Sequence, residues 1–205
     1  ELLDALFGVA PAISGTIAVA GQQVELNSPS DAIALGLALV PEDRKGQGLV
    51  LQMSVKENTS MASLKAHSIN GIFRNAEREA QDTDEMIARL STKTPHADQT
   101  AGFLSGGNQQ KVVLGKWLAT SPTLLLLDEP TRGIDIGAKQ EIYQLMEELA
   151  SQGMAVLFVS SELEEIIGMS DRTIVMHEGK ITGELRREDL AEESIMHLAT
   201  GGVQH

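Results

Sequence analysis

The stretch Leu124-Leu125-Leu126-Leu127-Asp128-Glu129-Pro130 limits the fold more than any other part of the sequence. A run of four leucines is too short to cross a bilayer or to make an ordinary helix, and Pro122 and Pro130 bracket it. Such a run reads as a strand buried on both faces of a parallel sheet. Two acids end it. In an open α/β sheet, ligands collect beyond the carboxyl ends of the strands, so Asp128 and Glu129 are delivered to that edge. A carboxylate there can hold Mg²⁺, and an adjacent glutamate can orient or deprotonate a water attacking a phosphoryl group. The same residues also fit an acidic loop after a core strand. The segment Leu104-Ser105-Gly106-Gly107-Asn108-Gln109-Gln110, upstream of the run, favours the first reading.

Ser105-Gly106-Gly107 opens a helical pattern that runs to about residue 119. A serine followed by two glycines at a helix start leaves backbone N–H groups and the positive dipole end facing outward, which suits an anion. It also suits a helix start and nothing more. Val112, Val113, Trp117 and Leu118 fall on the core side, and Trp117 needs no functional role. Downstream, Asp135 is placed to cap a helix over 136–151 with Ile142, Leu145, Met146 and Leu149 as its apolar face. Residues 154–159 form the next parallel strand.

LSGGNQQK, a helix, and then LLLLDEPTRGID resemble the signature motif, Walker B strand and D-loop of ATP-binding cassette (ABC) domains. The variant LSGGN, the stretch Pro41-Glu42-Asp43-Arg44-Lys45 and the pair Ser160-Ser161 are most similar to the second of two cassettes carried on one polypeptide in bacterial monosaccharide importers. The similarity runs from residue 1 to about residue 200. It implies an α/β fold: an N-terminally truncated RecA-like P-loop NTPase sheet with an antiparallel β part. A helical subdomain over about 54–119 would lie within a single ATP-binding domain spanning 1–205. It implies ATP and Mg²⁺ as cofactors, with the metal at Asp128 and Glu129 in a catalytic role. Ser105, Gly106, Gly107, Asn108, Gln109 and Asp135 would contact nucleotide, the signature end facing a γ-phosphate held by the opposite cassette. The implied partners are the first cassette of the same polypeptide or a second copy, membrane permease subunits, and indirectly a periplasmic sugar-binding protein. The implied location is the cytoplasmic face of the bacterial inner membrane.

The sequence departs from the family pattern at three points. The position of the Q-loop glutamine is Glu42, which could reach a metal but adds negative charge beside phosphates; Arg44 and Lys45 are close enough in sequence to offset it. Glu42-Asp43-Arg44-Lys45 also reads as a solvated turn. The position of the switch histidine is Ser161, whose hydroxyl is shorter and cannot carry positive charge. These departures suggest a degenerate site, with catalytic positions Glu129, Ser161 and Glu42. Finally, no GxxxxGK[ST] phosphate loop occurs in the 205 residues, and the resemblance places one immediately upstream of Glu1. Tight independent ATP binding is therefore not expected, and a missing phosphate-loop strand would leave unpaired edges beside a gap.

The net charge of −13 argues against non-specific binding to nucleic acid or anionic lipid, since both need basic surface. There is no cysteine, hence no disulfide framework or thiolate metal site. No apolar run approaches the roughly 18 residues a membrane span needs, so a membrane role must come through a partner.

Elsewhere, residues 2–7 read as a short amphipathic helix stopped by Gly8, and residues 15–26 as a hairpin around Gly21. Ser28, Ser30 or Asp31 can cap a short helix over 32–35 ended by Gly36, and 37–40 is a short buried strand. Ser54 and Glu57 have capping-box spacing, and 75–90 is a charged helix with Met86, Ile87 and Leu90 as its apolar side. Residues 65–73 show no strong pattern. Two strands over 172–177 and 180–185 flank Glu178-Gly179, followed by a capped helix over about 188–199. His67, His96, His177 and His197 read as surface, turn or helix-surface residues, none with a second ligand at metal spacing.

The sequence thus points to an ATP-driven monosaccharide importer in which this segment supplies the signature face. A catalytically silent interaction module of the same complex is the alternative. A soluble ABC ATPase of translation or repair would need a basic surface, which the charge balance disfavours.

Overall fold

The computed structural model describes residues 1–64, 67–68 and 74–202; of the patternless stretch 65–73, only 67 and 68 lie within it. The chain divides into two compact units, Glu1–Val159 and Ser160–His205.

The first unit opens with α1 (Leu2–Leu6), which stops where Gly8 takes φ +72°. A Cβ on Gly8 would lie 2.6 Å from the Ser28 carbonyl oxygen, so close packing and backbone conformation both require glycine. Strands β1 (Ile17–Val19) and β2 (Gln22–Val24) pair antiparallel across Ala20-Gly21, both at positive φ, the combination that matches strand twist. Helix α2 (Pro29–Ala34) begins three residues before the expected 32–35. The reason is its first turn: Ser28 Oγ accepts the Asp31 N–H, and Pro29 sits where a missing N–H costs nothing.

Strand β3 (Leu37–Val40) follows, and then helices α3 (Val55–Ser60), α4 (Ala76–Arg89) and α5 (Gly106–Leu118). The capping box is formed: Ser54 Oγ accepts the Glu57 N–H, and Glu57 Oε2 accepts the Ser54 N–H. Asn75 caps α4. Met86 and Leu90 are buried as the pattern required, but the amino-terminal half of α4 buries Glu79, Asp82 and Thr83 instead. Charge pairing makes that possible. Arg74 forks onto Glu79 and holds its carboxyl below the usual range, while Arg78 Nε lies 2.9 Å and His67 Nδ1 2.7 Å from Asp82. His67 is therefore a partner of a buried acid, not a surface residue.

The unit closes with β4 (Leu124–Asp128), α6 (Ile136–Ser151) and β5 (Ala155–Val159). The three parallel strands lie in the order β3-β4-β5, with Val40 opposite Leu127 and Asp128 opposite Val159. Leu125, Leu126 and Leu127 are fully buried, each leucine stabilising the fold by about 1.5–3 kcal/mol. On one face Leu126 packs in a cluster with Leu3, Phe7, Leu26, Ala32, Leu37 and Leu39. Trp117 joins that cluster, its ring meeting Phe7 edge-on at 5.3 Å. Among the described residues β5 has β4 as its one strand partner, and Leu157 and Val159 on it are exposed.

The second unit contains α7 (Leu163–Met169), β6 (Arg172–His177), β7 (Lys180–Arg186) and α8 (Glu192–Ala199). The hairpin turns through Glu178 and Gly179, both at positive φ, and its core is Val175, Leu185, Ile195 and Leu198. Helix α7, whose Leu163, Ile166 and Ile167 pack on that core, has no counterpart in the sequence reading. The final helix starts later than 188 and without a side-chain cap, because Arg187–Asp189 form a separate 3₁₀ turn and Ala191 is the N-cap residue. Among the described residues no helix is long and apolar enough to cross a membrane.

Candidate nucleotide-facing site

Parallel strands share a carboxyl edge, and the loops leaving β3 and β4 meet there. Asp128 ends β4, half-buried, and burial pushes its carboxyl above the usual range. Glu129 follows at φ +47°, left-handed backbone that costs a non-glycine residue about 1 kcal/mol or more. Its N–H donates to the Val159 carbonyl (2.9 Å), and its carbonyl accepts the Arg132 N–H (3.1 Å). These two bonds fix the sharp turn by which the chain leaves the sheet.

Glu42, at the end of β3, forms an ion pair with Arg132. The sequence nominated Arg44 and Lys45 to offset its charge, and the structure assigns that task to Arg132. Arg44 instead donates from Nη1 to the Arg132 carbonyl (2.8 Å) and from Nη2 to the Gly133 carbonyl (3.1 Å). Lys45 is exposed, with its N–H given to Asp43 Oδ1. The segment Arg44–Gly48 is not a plain solvated turn but one turn of π-helix, capped by Asp43.

The start of α5 lies against this loop pair. A Cβ on Gly106 would sit 2.8 Å from Arg44 Nη2 and 3.3 Å from the Gly133 carbonyl oxygen; one on Gly107 would sit 2.5 Å from Ala138 Cβ. Packing thus demands glycine at 107, whereas at 106 the neighbour is the movable end of the Arg44 side chain. Ser105 does not cap the first turn with its side chain; its Oγ accepts from Asn108 Nδ2 (2.9 Å), and Asn108 Oδ1 accepts the Lys93 N–H (2.7 Å). Gln109 is buried and donates to the Ala101 carbonyl (3.3 Å). Asp135 Oδ1 accepts the Ala138 N–H (3.0 Å) and caps α6, as its position suggested. The starts of α5 and α6 therefore lie side by side, next to the loop that leaves the paired acids. Ser161 lies in the second unit, exposed, beside Ser160 whose Oγ accepts the Glu162 N–H (3.0 Å).

No group of three or more His, Cys, Asp or Glu residues able to hold a metal occurs among the described residues. A shallow cavity of about 330 Å³ is lined by Pro122, Thr123, Gly153 and Met154, at the amino ends of β4 and β5, on the edge of the sheet opposite the acids.

A family model described as ABC transporter matches residues 1–132. The chain belongs to the ABC transporter family. It is 50% identical over 202 residues to the ribose import ATP-binding protein RbsA of Bacillus cereus, covering 98% of this chain and 40% of that protein. It is 52% identical over 202 residues to the putative ribose/galactose/methyl galactoside import ATP-binding protein 1 of Rhizobium etli, covering 98% of this chain and 38% of that protein. The chain thus spans about 40% of the length of the curated relatives it matches. Among solved structures, it superimposes on a nucleotide-free ATP-binding cassette from an ABC transporter with TM-score 0.80 at 22% identity, covering 96% of this chain and 81% of that one. It does so on the ADP conformation of another such cassette with TM-score 0.79 at 22% identity, covering 98% and 82%. The fold is accordingly the RecA-like ABC fold.

Arg132 and Arg44 hold this loop pair together, contacts that the sequence reading passed over or misassigned. The one signal for the first was an arginine inside the D-loop motif itself.

Proposed function

We infer that this chain is part of the ATP-binding polypeptide of an ATP-driven monosaccharide importer. Its chief task is to present Ser105, Gly106 and Gly107 to a nucleotide held by a facing cassette. The observation that carries this reading is the side-by-side placement of the α5 and α6 starts beside the acid-tipped strand, which makes signature and D-loop one contiguous surface. Identity of about half to two import ATP-binding proteins of the ribose and galactose type supports the transport setting. The partners under this reading are a first cassette on the same polypeptide or a second copy, permease subunits, and indirectly a periplasmic sugar-binding protein. The chain works at the cytoplasmic face of the inner membrane, as one ATP-binding domain with a helical subdomain over about 54–119.

The cofactors are ATP and Mg²⁺. Asp128 fits a cation: its carboxyl is half-buried and raised by desolvation, a penalty that a bound cation offsets. When bound, Mg²⁺ neutralises phosphate charge. Asp128 would hold it, and Glu129 would orient water from the left-handed turn. Ser105, Gly106 and Gly107 offer N–H and hydroxyl donors, with Asn108 and Gln109 bracing them from behind and Asp135 fixing the adjacent helix. This chain's own hydrolytic site is degenerate, because Glu42 is committed to Arg132 and Ser161 stands where the family has histidine.

Replacing Glu129 with Gln in the assembled transporter tests the reading. A residual ATPase well above that left by the same change in the first cassette is expected; equal abolition in both would refute it. For the 205-residue chain alone, titration with a fluorescent ATP analogue is expected to show no binding below millimolar. A micromolar dissociation constant would contradict that.

A further inference from the structure

The guanidinium of Arg44 lies against two segments far apart from it in sequence. It donates to two successive D-loop carbonyls, Arg132 and Gly133, at 2.8 and 3.1 Å. It also fills the space that a side chain at Gly106 would occupy. Meanwhile the carboxylate of Glu42, two residues before it, pairs with the side chain of Arg132. Arg132 is thereby gripped twice from one short stretch, through its backbone and through its side chain.

The π-turn that carries Arg44 is itself immobilised. Asp43 Oδ1 accepts the N–H groups of Lys45 and Gly46, and the Asp43 carbonyl accepts those of Gln47 and Gly48. At the far end the Gly48 carbonyl accepts a hydrogen bond from Lys116 Nζ at 2.6 Å, and a Cβ on Gly48 would lie 3.0 Å from Val113. Lys116 and Val113 both belong to α5, the helix whose first residue is Gly106. The contacts therefore close a ring. They run from the middle of α5 through the π-turn to Arg44, on to the D-loop, and back to the start of α5, where Gly107 meets Ala138. A ring of this kind fixes two loops against one helix end with no freedom for either to move alone.

We propose that Arg44 is a positioning residue that locks the D-loop to the signature helix, so that both are presented as one rigid face. The proposal rests on the signature-face reading above. Arginine is required because its planar fork meets two carbonyls at once, whereas a lysine at this position reaches one. Groups that must be held in place for the reacting complex act on turnover more than on ground-state binding.

The test uses the full-length ATP-binding polypeptide assembled with its permease. Arg44→Ala is expected to lower kcat of the ATPase about tenfold or more, the order set by losing a charge-assisted pair, with KM for ATP changed less than about twofold. Arg44→Lys is expected to restore only part of kcat, and Lys45→Ala, which removes an exposed neighbouring charge, to leave it unchanged. Hydrogen exchange in the same protein is expected to quicken over 105–108 and 130–137 in Arg44→Ala. Because Arg44→Lys keeps charge and bulk, it remains informative if the alanine variant fails to fold. Wild-type kcat in Arg44→Lys and Arg44→Ala, or unaltered exchange in those segments, overturns the proposal. Ser105→Arg separates it from the reading beneath it. If that change abolishes ATPase while the Arg44 variants turn over normally, the lock alone is wrong; if Ser105→Arg is also silent, the signature-face reading falls with it.

Discussion

Lys116 Nζ lies 2.6 Å from the carbonyl oxygen of Gly48, in a place where the lysine is only 7% exposed. Its ammonium also sits 5.1 Å from the Trp117 ring centroid. Burial lowers its pKa from 10.5 to about 8. The folded protein then holds fewer protons than the unfolded chain between those two values, so this group makes stability rise with pH across that window. Below pH 8 the charged, buried form is carried at full cost. Urea unfolding of wild type and Lys116→Met should therefore diverge as pH rises from 7.5 to 10, wild type gaining about 2 kcal/mol relative to the variant. Parallel curves would show that the ammonium is not desolvated.

Gly107 is held within a hypothetical 2.5 Å of Ala138 Cβ. Gly107→Ala must push α5 and α6 apart at their starts, a destabilisation of about 1–3 kcal/mol. Adding Ala138→Gly should recover part of the loss, which chemical denaturation of the single and double variants would show. Additive losses would place the strain elsewhere.

Asn58 is 1% exposed and saturated: Oδ1 accepts the Val50 N–H (2.8 Å), and Nδ2 donates to the carbonyls of Val50 (3.0 Å) and Ser54 (2.9 Å). It ties the turn before α3 to that helix. Asn58→Ala strands those backbone groups and should cost about 2–3 kcal/mol in thermal or urea unfolding. Asn58→Asp keeps the acceptor and loses both donors, and should be comparably damaging; near-neutrality of either would mean that water replaces the amide.

What the sequence made legible was local. The leucine run, the Ala20-Gly21 turn, the Ser54–Glu57 box and the Asp135 cap each carry their cause within a few residues, and all formed as expected. Helix α2 starts three residues ahead of 32 because, of the three caps the sequence offers, Ser28 is the one used and Pro29 takes the first helical position. At the candidate site, the acids and glycines were found by spacing, yet their supports were not. The grips of Arg44 and Glu42 on the D-loop and of Lys116 on Gly48 join residues remote in sequence, and such pairings leave no periodic trace. His67 was misread for the same reason: its partner Asp82 is an acid buried on the inward side of a helix.

Glu129 occupies a backbone region that glycine enters freely and glutamate does not. Thermal robustness alone would be better served by removing its side chain, so the chain keeps a carboxylate at that turn at a local loss of about 1 kcal/mol. Any programme that ranks substitutions by how much they toughen the fold will select against this acid, and will return sturdier proteins without a carboxylate at the exit of the leucine strand.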